Sequence, residues 1–441
     1  MAVFGRAKAA VALRELLLIV VVLSLCVAGL IRPKIALYGY IWFAITEPDV
    51  MAFCEAKYPF SMALGILTVI GGLRKSSEWG AAFRQPAVWA LLLLQIPIAL
   101  SILFCEGPFL APDRYNSYMR MIVVALLIPV LIESGRDMIQ FLMTLAISEG
   151  LFGSRFGLFG LLGGGVLMRG SYSSLYDNNE IALVIVMLLP ICWYLRELLQ
   201  SRLLKTGLLV IMVTAAPAVI MTNSRGGSLA LGAVVLALIL RSRRRIALTI
   251  VLALAIGPAI YLMQDVYFKR MDTIEHYQDE ASAAGRIELW QAAIKGFQDH
   301  PILGFGFGQR NFQQFSPGYL GKNDRSVVHE TYLQMLVDSG IGAFFLYVSL
   351  LFGTIVWLGR SSRRTRREYP GWQWVPISLQ VSLIAFSVGA LFYSCQRLDL
   401  PYYLIMSAAA WKKVVQTNMV YEGEGQAERG DGQEMEALQP A

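Results

Sequence analysis

Three short runs carry side chains able to handle an activated phosphate and a proton. In Thr222-Asn223-Ser224-Arg225-Gly226-Gly227 an arginine stands between two capping residues and paired glycines. That pattern places a cation at the beginning of a helix, where free backbone N–H groups and the dipole favour an anion, and the glycines let backbone come close to a ligand. The second run is Gly285-Arg286-Ile287-Glu288-Leu289-Trp290. It opens an expected amphipathic helix with Ile287, Trp290, Ile294 and Phe297 on its apolar face and His300-Pro301 at its end. Arg286 is expected in the first turn of that helix, to bind phosphate or to pair with Glu288 or Asp279. The third run, Val328-His329-Glu330-Thr331-Tyr332-Leu333, starts another helix. It begins like a His-Glu-x-x-His zinc site, but Leu333 stands where the second ligand would be, so no metal is expected. A neutral imidazole at His329 can instead take a proton from a hydroxyl near pH 7; the alternative is a structural histidine.

Other residues could support such a site. Asp338 lies nine residues beyond His329, about 13 Å down a helix. At that depth it needs an arginine, an interhelical hydrogen bond or a water-filled cavity. Arg397 and Asp399, just before Pro401-Tyr402-Tyr403, stand at the end of the last hairpin and are expected near the same cavity. Gly304-Phe305-Gly306-Phe307-Gly308 resembles a dinucleotide loop, but no strand-helix-strand pattern surrounds it, so it reads as a flexible turn lining the site. Asp177-Asn178-Asn179-Glu180, after the glycine-rich 163–170, reads as a helix cap able to touch a polar ligand. The cysteines at 26, 54, 105, 192 and 395 show no metal spacing; a disulfide is conceivable only between Cys54 and Cys105.

The elements that must position these residues are membrane helices. The 441 residues are 56% hydrophobic and only 16% charged, against about a quarter charged in soluble domains. Apolar blocks separated by short polar punctuation approach the roughly 20 residues that cross a bilayer, and twelve or thirteen can be drawn. The first could pass for a signal peptide, yet it reads as a retained span. Lipid cannot hydrogen-bond a bare backbone, and no barrel-like alternation occurs, so the fold class is an all-α polytopic bundle of about twelve spans. Spans fill 1–263 and 331–415 around one large polar loop at 264–330, and 416–441 reads as a disordered tail.

The net charge of +7 comes from clusters such as Arg241, Arg243, Arg244 and Arg245, and Arg360, Arg363, Arg364, Arg366 and Arg367, beside apolar blocks. They set topology and meet lipid headgroups; no nucleic acid partner is expected. With both clusters cytoplasmic, the 264–330 loop faces outward. It holds seven Lys or Arg against nine Asp or Glu, as a translocated loop should.

Together, the Asn-Ser-Arg-Gly-Gly run at 223–227, the Gly-Arg-Ile-Glu-Leu-Trp run at 285–290 and His329 to Leu333 followed by Asp338-Ser-Gly-Ile-Gly342 resemble the bacterial O-antigen ligase and polymerase superfamily, over about 175–405. The N-terminal third looks more like the O-glycosylation ligases associated with exosortase systems. The resemblance implies an enzyme of the inner membrane with its site facing the periplasm. It implies transfer of glycan from undecaprenyl diphosphate to a sugar hydroxyl of lipid A-core, inverting, with no metal or other cofactor. Arg225 and Arg286 would hold the diphosphate and His329 would be the base, with Asp338 and Asp399 as possible supports. Relatives commonly carry Glu where this chain has Asp338. A polymerase, a protein O-glycosylation ligase and a lipid-linked glycan transporter remain alternatives.

Overall fold

The computed structural model describes residues 2–51, 59–105, 111–162, 178–242, 244–262, 281–308, 310–321 and 327–417. Every regular element among them is helical. The helices are α1 (Ala2–Ile31), α2 (Pro33–Thr46), α3 (Pro48–Met51), α4 (Phe60–Arg74), α5 (Ser76–Phe83) and α6 (Pro86–Leu103). Next come α7 (Ala111–Leu131), α8 (Gly135–Leu162), α9 (Asn178–Leu198), α10 (Arg202–Met221), α11 (Arg225–Arg241) and α12 (Arg245–Leu262). The chain closes with α13 (Ala281–Asp299), α14 (Arg310–Leu320), α15 (Thr331–Glu368), α16 (Trp374–Gly389) and α17 (Asp399–Gln416).

Seven of these, α1, α6, α8, α9, α10, α12 and α15, are long and apolar enough to cross a membrane, and α4 and α16 are shorter apolar helices. The expected count of about twelve therefore exceeds the helices that qualify by length and composition. Length explains part of the gap. With 14 residues, α2 reaches about 21 Å, short of the roughly 30 Å hydrocarbon core. Arg32, in an extended conformation, separates α1 from α2, with Pro33 at the first position of α2, where its missing N–H costs nothing.

Helix α9 is the centre of the bundle, buried at every position from 181 to 195. It packs against α8, α10, α11 and α16, and Ser382 Oγ of α16 donates to the Met187 carbonyl at 2.6 Å. The α8–α10 seam is close because Gly150, Gly153, Gly157 and Gly160 share one face of α8. A Cβ at Gly157 would stand 1.9 Å from the Thr214 carbonyl oxygen. Small-residue stripes of this kind are how helices associate in lipid. The outer faces carry exposed Leu17, Val20, Leu23 and Val27 on α1 and Leu93, Ile96 and Leu100 on α6. In water each would forgo about 1.5–3 kcal/mol of burial; in acyl chains that loss disappears.

The interrupted helix α15 shapes the rest. At Gly340 the backbone takes φ 75° and ψ −177°, a region open essentially to glycine. The break frees carbonyls of the preceding turn. Phe305 N–H donates to the Val337 carbonyl at 2.9 Å, Gly306 N–H to the Asp338 carbonyl at 2.8 Å, and Ile341 N–H to the Pro301 carbonyl at 3.0 Å. The 304–308 segment is thus a buried plug bonded into a broken helix, and the expectation of a flexible turn is corrected.

Candidate active site

Arg225 is the first residue of α11. Ser224 caps that helix, its Oγ accepting from Gly227 N–H at 3.0 Å and donating to Asn179 Oδ1 at 2.6 Å. The starts of α11 and α9 are thereby tied together. Gly226 and Gly227 serve packing: a Cβ on the first would be 2.6 Å from Phe392 Cβ, and on the second 2.5 Å from Ala182 Cβ. The reading that they admit ligand to the backbone is corrected, because neighbouring side chains fill that space.

His329 sits two residues before α15 with φ 56°, a left-handed conformation that costs a non-glycine residue energy and needs its surroundings to hold it. The holding bonds flank it. Trp290 Nε1 donates to the Val328 carbonyl at 2.9 Å, and Val328 N–H donates to Gln334 Oε1 at 3.1 Å. Thr331 N–H donates to the Ala390 carbonyl at 2.8 Å, and Cys395 N–H to Thr331 Oγ1 at 3.0 Å. The His329 and Tyr393 rings stand 6.3 Å apart. Glu330 is the N-cap of α15, accepting from the N–H groups of Tyr332 and Leu333. Burial pushes its carboxyl up to about 7, against the pull of those two donors.

The 390–398 turn therefore receives Arg225's helix at Phe392 and His329's helix at Ala390, Tyr393 and Cys395. Arg286 is placed differently from expected. Helix α13 begins at Ala281, so Arg286 stands in its second turn and is not at a helix N-terminus. The Ala281-Ser-Ala-Ala run, made mostly of strong helix formers, extends the helix past Gly285. Arg286 precedes Trp290 by one turn and shares its face, and it is Trp290 that bonds the Val328 carbonyl. The buried stripe of α13 is Leu289, Ala292, Ala293 and Gly296, while Ile287 and Ile294 point outward. Small residues win the inner face because Phe305 and Phe312 press against them; a Cβ at Gly296 would be 2.9 Å from the Phe305 ring.

Asp338 is fully buried and structural in its contacts. It accepts from Gln334 Nε2 at 2.7 Å, Gln396 Nε2 at 3.2 Å and Gly308 N–H at 3.3 Å, joining α15, the 304–308 plug and the 390–398 turn. Asp399 begins α17 and, with Arg397, lines a cavity of about 740 Å³ that Glu149, Glu180, Arg114 and Tyr393 also line. Burial lowers the Arg397 guanidinium's pKa, countered by Glu180 first and then Asp338. Arg225, Arg286 and His329 are not among the walls of this cavity; the Arg225 helix and His329 adjoin the 390–398 turn that supplies part of its lining. Glu149 was missed in the sequence, although a carboxylate inside an apolar block is itself a functional signal. Cys105 is a free thiol donating to the Ile102 carbonyl at 3.1 Å. Its conceivable partner Cys54, with Asp177, 163–170, 264–280 and 418–441, lies outside the described residues.

No curated protein matches the chain in sequence. Two family models do match: residues 13–201 fit a family of unknown function (DUF5935), and residues 210–348 fit the family described as O-antigen ligase. The second match spans Arg225, Arg286, His329 and Asp338, and stops short of Arg397 and Asp399. That segment holds all three motif runs within a multi-span helical chain, so residues 210–348 are similar to the O-antigen ligase family.

Proposed function

We propose that the protein is a membrane glycosyltransferase moving a glycan from undecaprenyl diphosphate to a sugar hydroxyl of lipid A-core, at the periplasmic face of the inner membrane. The observation that carries this reading is the meeting of two helix starts on the 390–398 turn, with Arg225 on one and His329 beside the other, both residues inside the family-matched segment. About twelve membrane passages, some made by short helices, complete the topology, with the arginine clusters at the far ends of α11 and α15 in the cytoplasm.

Arg225, at the positive end of α11, and Arg286 take the diphosphate, whose charge grows as the bond to the sugar breaks. His329 accepts the proton of the attacking hydroxyl as the new C–O bond forms. The bond between the anomeric carbon and the phosphate oxygen breaks, and undecaprenyl diphosphate leaves with its electron pair. In-line displacement inverts the anomeric centre. Asp338 acts from behind, fixing the turn between the helices, and Asp399 belongs to the adjoining cavity. Neither metal nor nucleotide enters any step.

Cells lacking the protein test the reaction. Long glycan stranded on its lipid carrier supports the ligase reading; single repeat units there would mean a polymerase, and complete lipopolysaccharide would refute both.

A further inference from the structure

The roles given to Arg225, Arg286 and His329 leave the 740 Å³ cavity without an occupant. Its size lies in the range that encloses a small ligand. Its walls come from two halves of the chain: α2, α3, α4, α7, α8 and α9 on one side, residues 393–403 on the other. Its charge is wrong for a diphosphate. Among the described residues, Glu47, Asp49, Glu149, Glu180 and Asp399 line it against Arg114 and Arg397, and Arg114 already donates to the Gly308 carbonyl at 3.0 Å.

Two buried polar atoms there lack partners among the described residues: Oε2 of Glu149, a residue only 3% exposed, and Nε of Arg397. Leaving such atoms unsatisfied is costly, so each points to a group from outside the chain. One accepts and the other donates. A hydroxyl does both, whereas a phosphate suits the arginine and is repelled by the carboxylates. Tyr40, Tyr118, Tyr393 and Tyr403 add aromatic surface of the kind that packs on sugar rings. Tyr393 is also the ring beside His329, so the cavity adjoins the expected base without being lined by Arg225 or Arg286.

We infer that this cavity binds a neutral, hydroxyl-rich sugar of the acceptor, with Glu149 accepting from one hydroxyl and Arg397 donating to another. The assignment rests on the glycosyl-transfer reading. The N-terminal half, matched only to a family of unknown function, thereby supplies part of the acceptor subsite. The donor's own sugar offers the same hydroxyl chemistry, but it is tethered to the diphosphate and so to the arginines.

The test uses the purified full chain in lipid, with Glu149→Gln and Arg397→Lys measured in steady state against lipid-linked glycan and lipid A-core. The expected result is a rise in KM for the acceptor on the order of tenfold or more, with KM for the donor within about twofold of wild type. An unchanged acceptor KM overturns the inference, and a rise confined to the donor assigns the cavity to the donor sugar and overturns it equally. A second arm needs no turnover: calorimetric binding of dephosphorylated core oligosaccharide freed of its lipid. Weaker binding by Glu149→Gln at retained thermal stability supports the subsite even if wild type forms no product, a result that sinks the transfer reading alone. Equal binding by both proteins, with transfer intact, sinks the subsite alone.

Discussion

Replacing Gly340 by Ala tests how the broken helix holds the site. The new Cβ would meet the Ile302 carbonyl oxygen at 2.0 Å and its carbon at 2.3 Å, and both belong to backbone that no rotamer change can clear. Alanine at φ 75°, ψ −177° also carries strain of about 1–3 kcal/mol. Relief requires the 301–306 strap to move off α15, which endangers the Phe305–Val337, Gly306–Asp338 and Ile341–Pro301 hydrogen bonds, at about 1 kcal/mol each. The sum is a loss of about 4–6 kcal/mol. Equilibrium unfolding in mixed detergent micelles reads it. Gly342→Ala is the control: nothing lies within 4 Å of its Cβ, so it should be neutral or up to about 1 kcal/mol more stable. Equal stability of the two variants would refute the claim that the strap is bonded into the break.

Other consequences follow from single contacts. Lys413, 1% exposed, is paired with Glu78 at 2.7 Å; Glu78→Gln strands a buried cation and should cost about 3–5 kcal/mol, whereas Glu78→Gln with Lys413→Met should recover most of that loss in the same unfolding assay. Burial raises the Glu330 carboxyl to about 7, so the folded state holds its proton more tightly than the unfolded chain. Its contribution is full below the ordinary carboxylate range and is lost as pH rises through about 7; Glu330→Gln should therefore lack part of the wild-type fall in stability across that window, and superimposable pH profiles would contradict the assignment. Transfer should persist in EDTA, because the proposed chemistry puts arginines where charge develops; a loss restored by an added divalent ion would overturn it.

The membrane fold was legible because composition and block length depend on the solvent, and lipid leaves the backbone few options. Helix starts were legible where a cap is local, as at Ser224 and Glu330. What escaped were features set by distant partners. Nothing near Gly304 announces that Val337 and Asp338, one break away in α15, will take its neighbours' N–H groups. The inner face of α13 went to Ala292, Ala293 and Gly296 rather than Ile287 and Ile294 because the Phe305 and Phe312 rings needed room. Arg286 was expected in the first turn of a helix opened at Gly285, yet the helix starts at Ala281 and runs through that glycine. Glu149 gave a signal in the sequence, a lone acid amid apolar residues, but only the fold brings it to Arg397 and Asp399.

Reconstituted transfer by wild type and His329→Ala, with donor binding measured on the same preparations, tests the central claim most directly. Wild type should form the covalent glycan–lipid A-core product. His329→Ala should bind lipid-linked donor with an unchanged Kd and transfer it at least about a hundredfold more slowly. Transfer at the wild-type rate by His329→Ala, or wild type that binds donor and forms no product, would contradict the account.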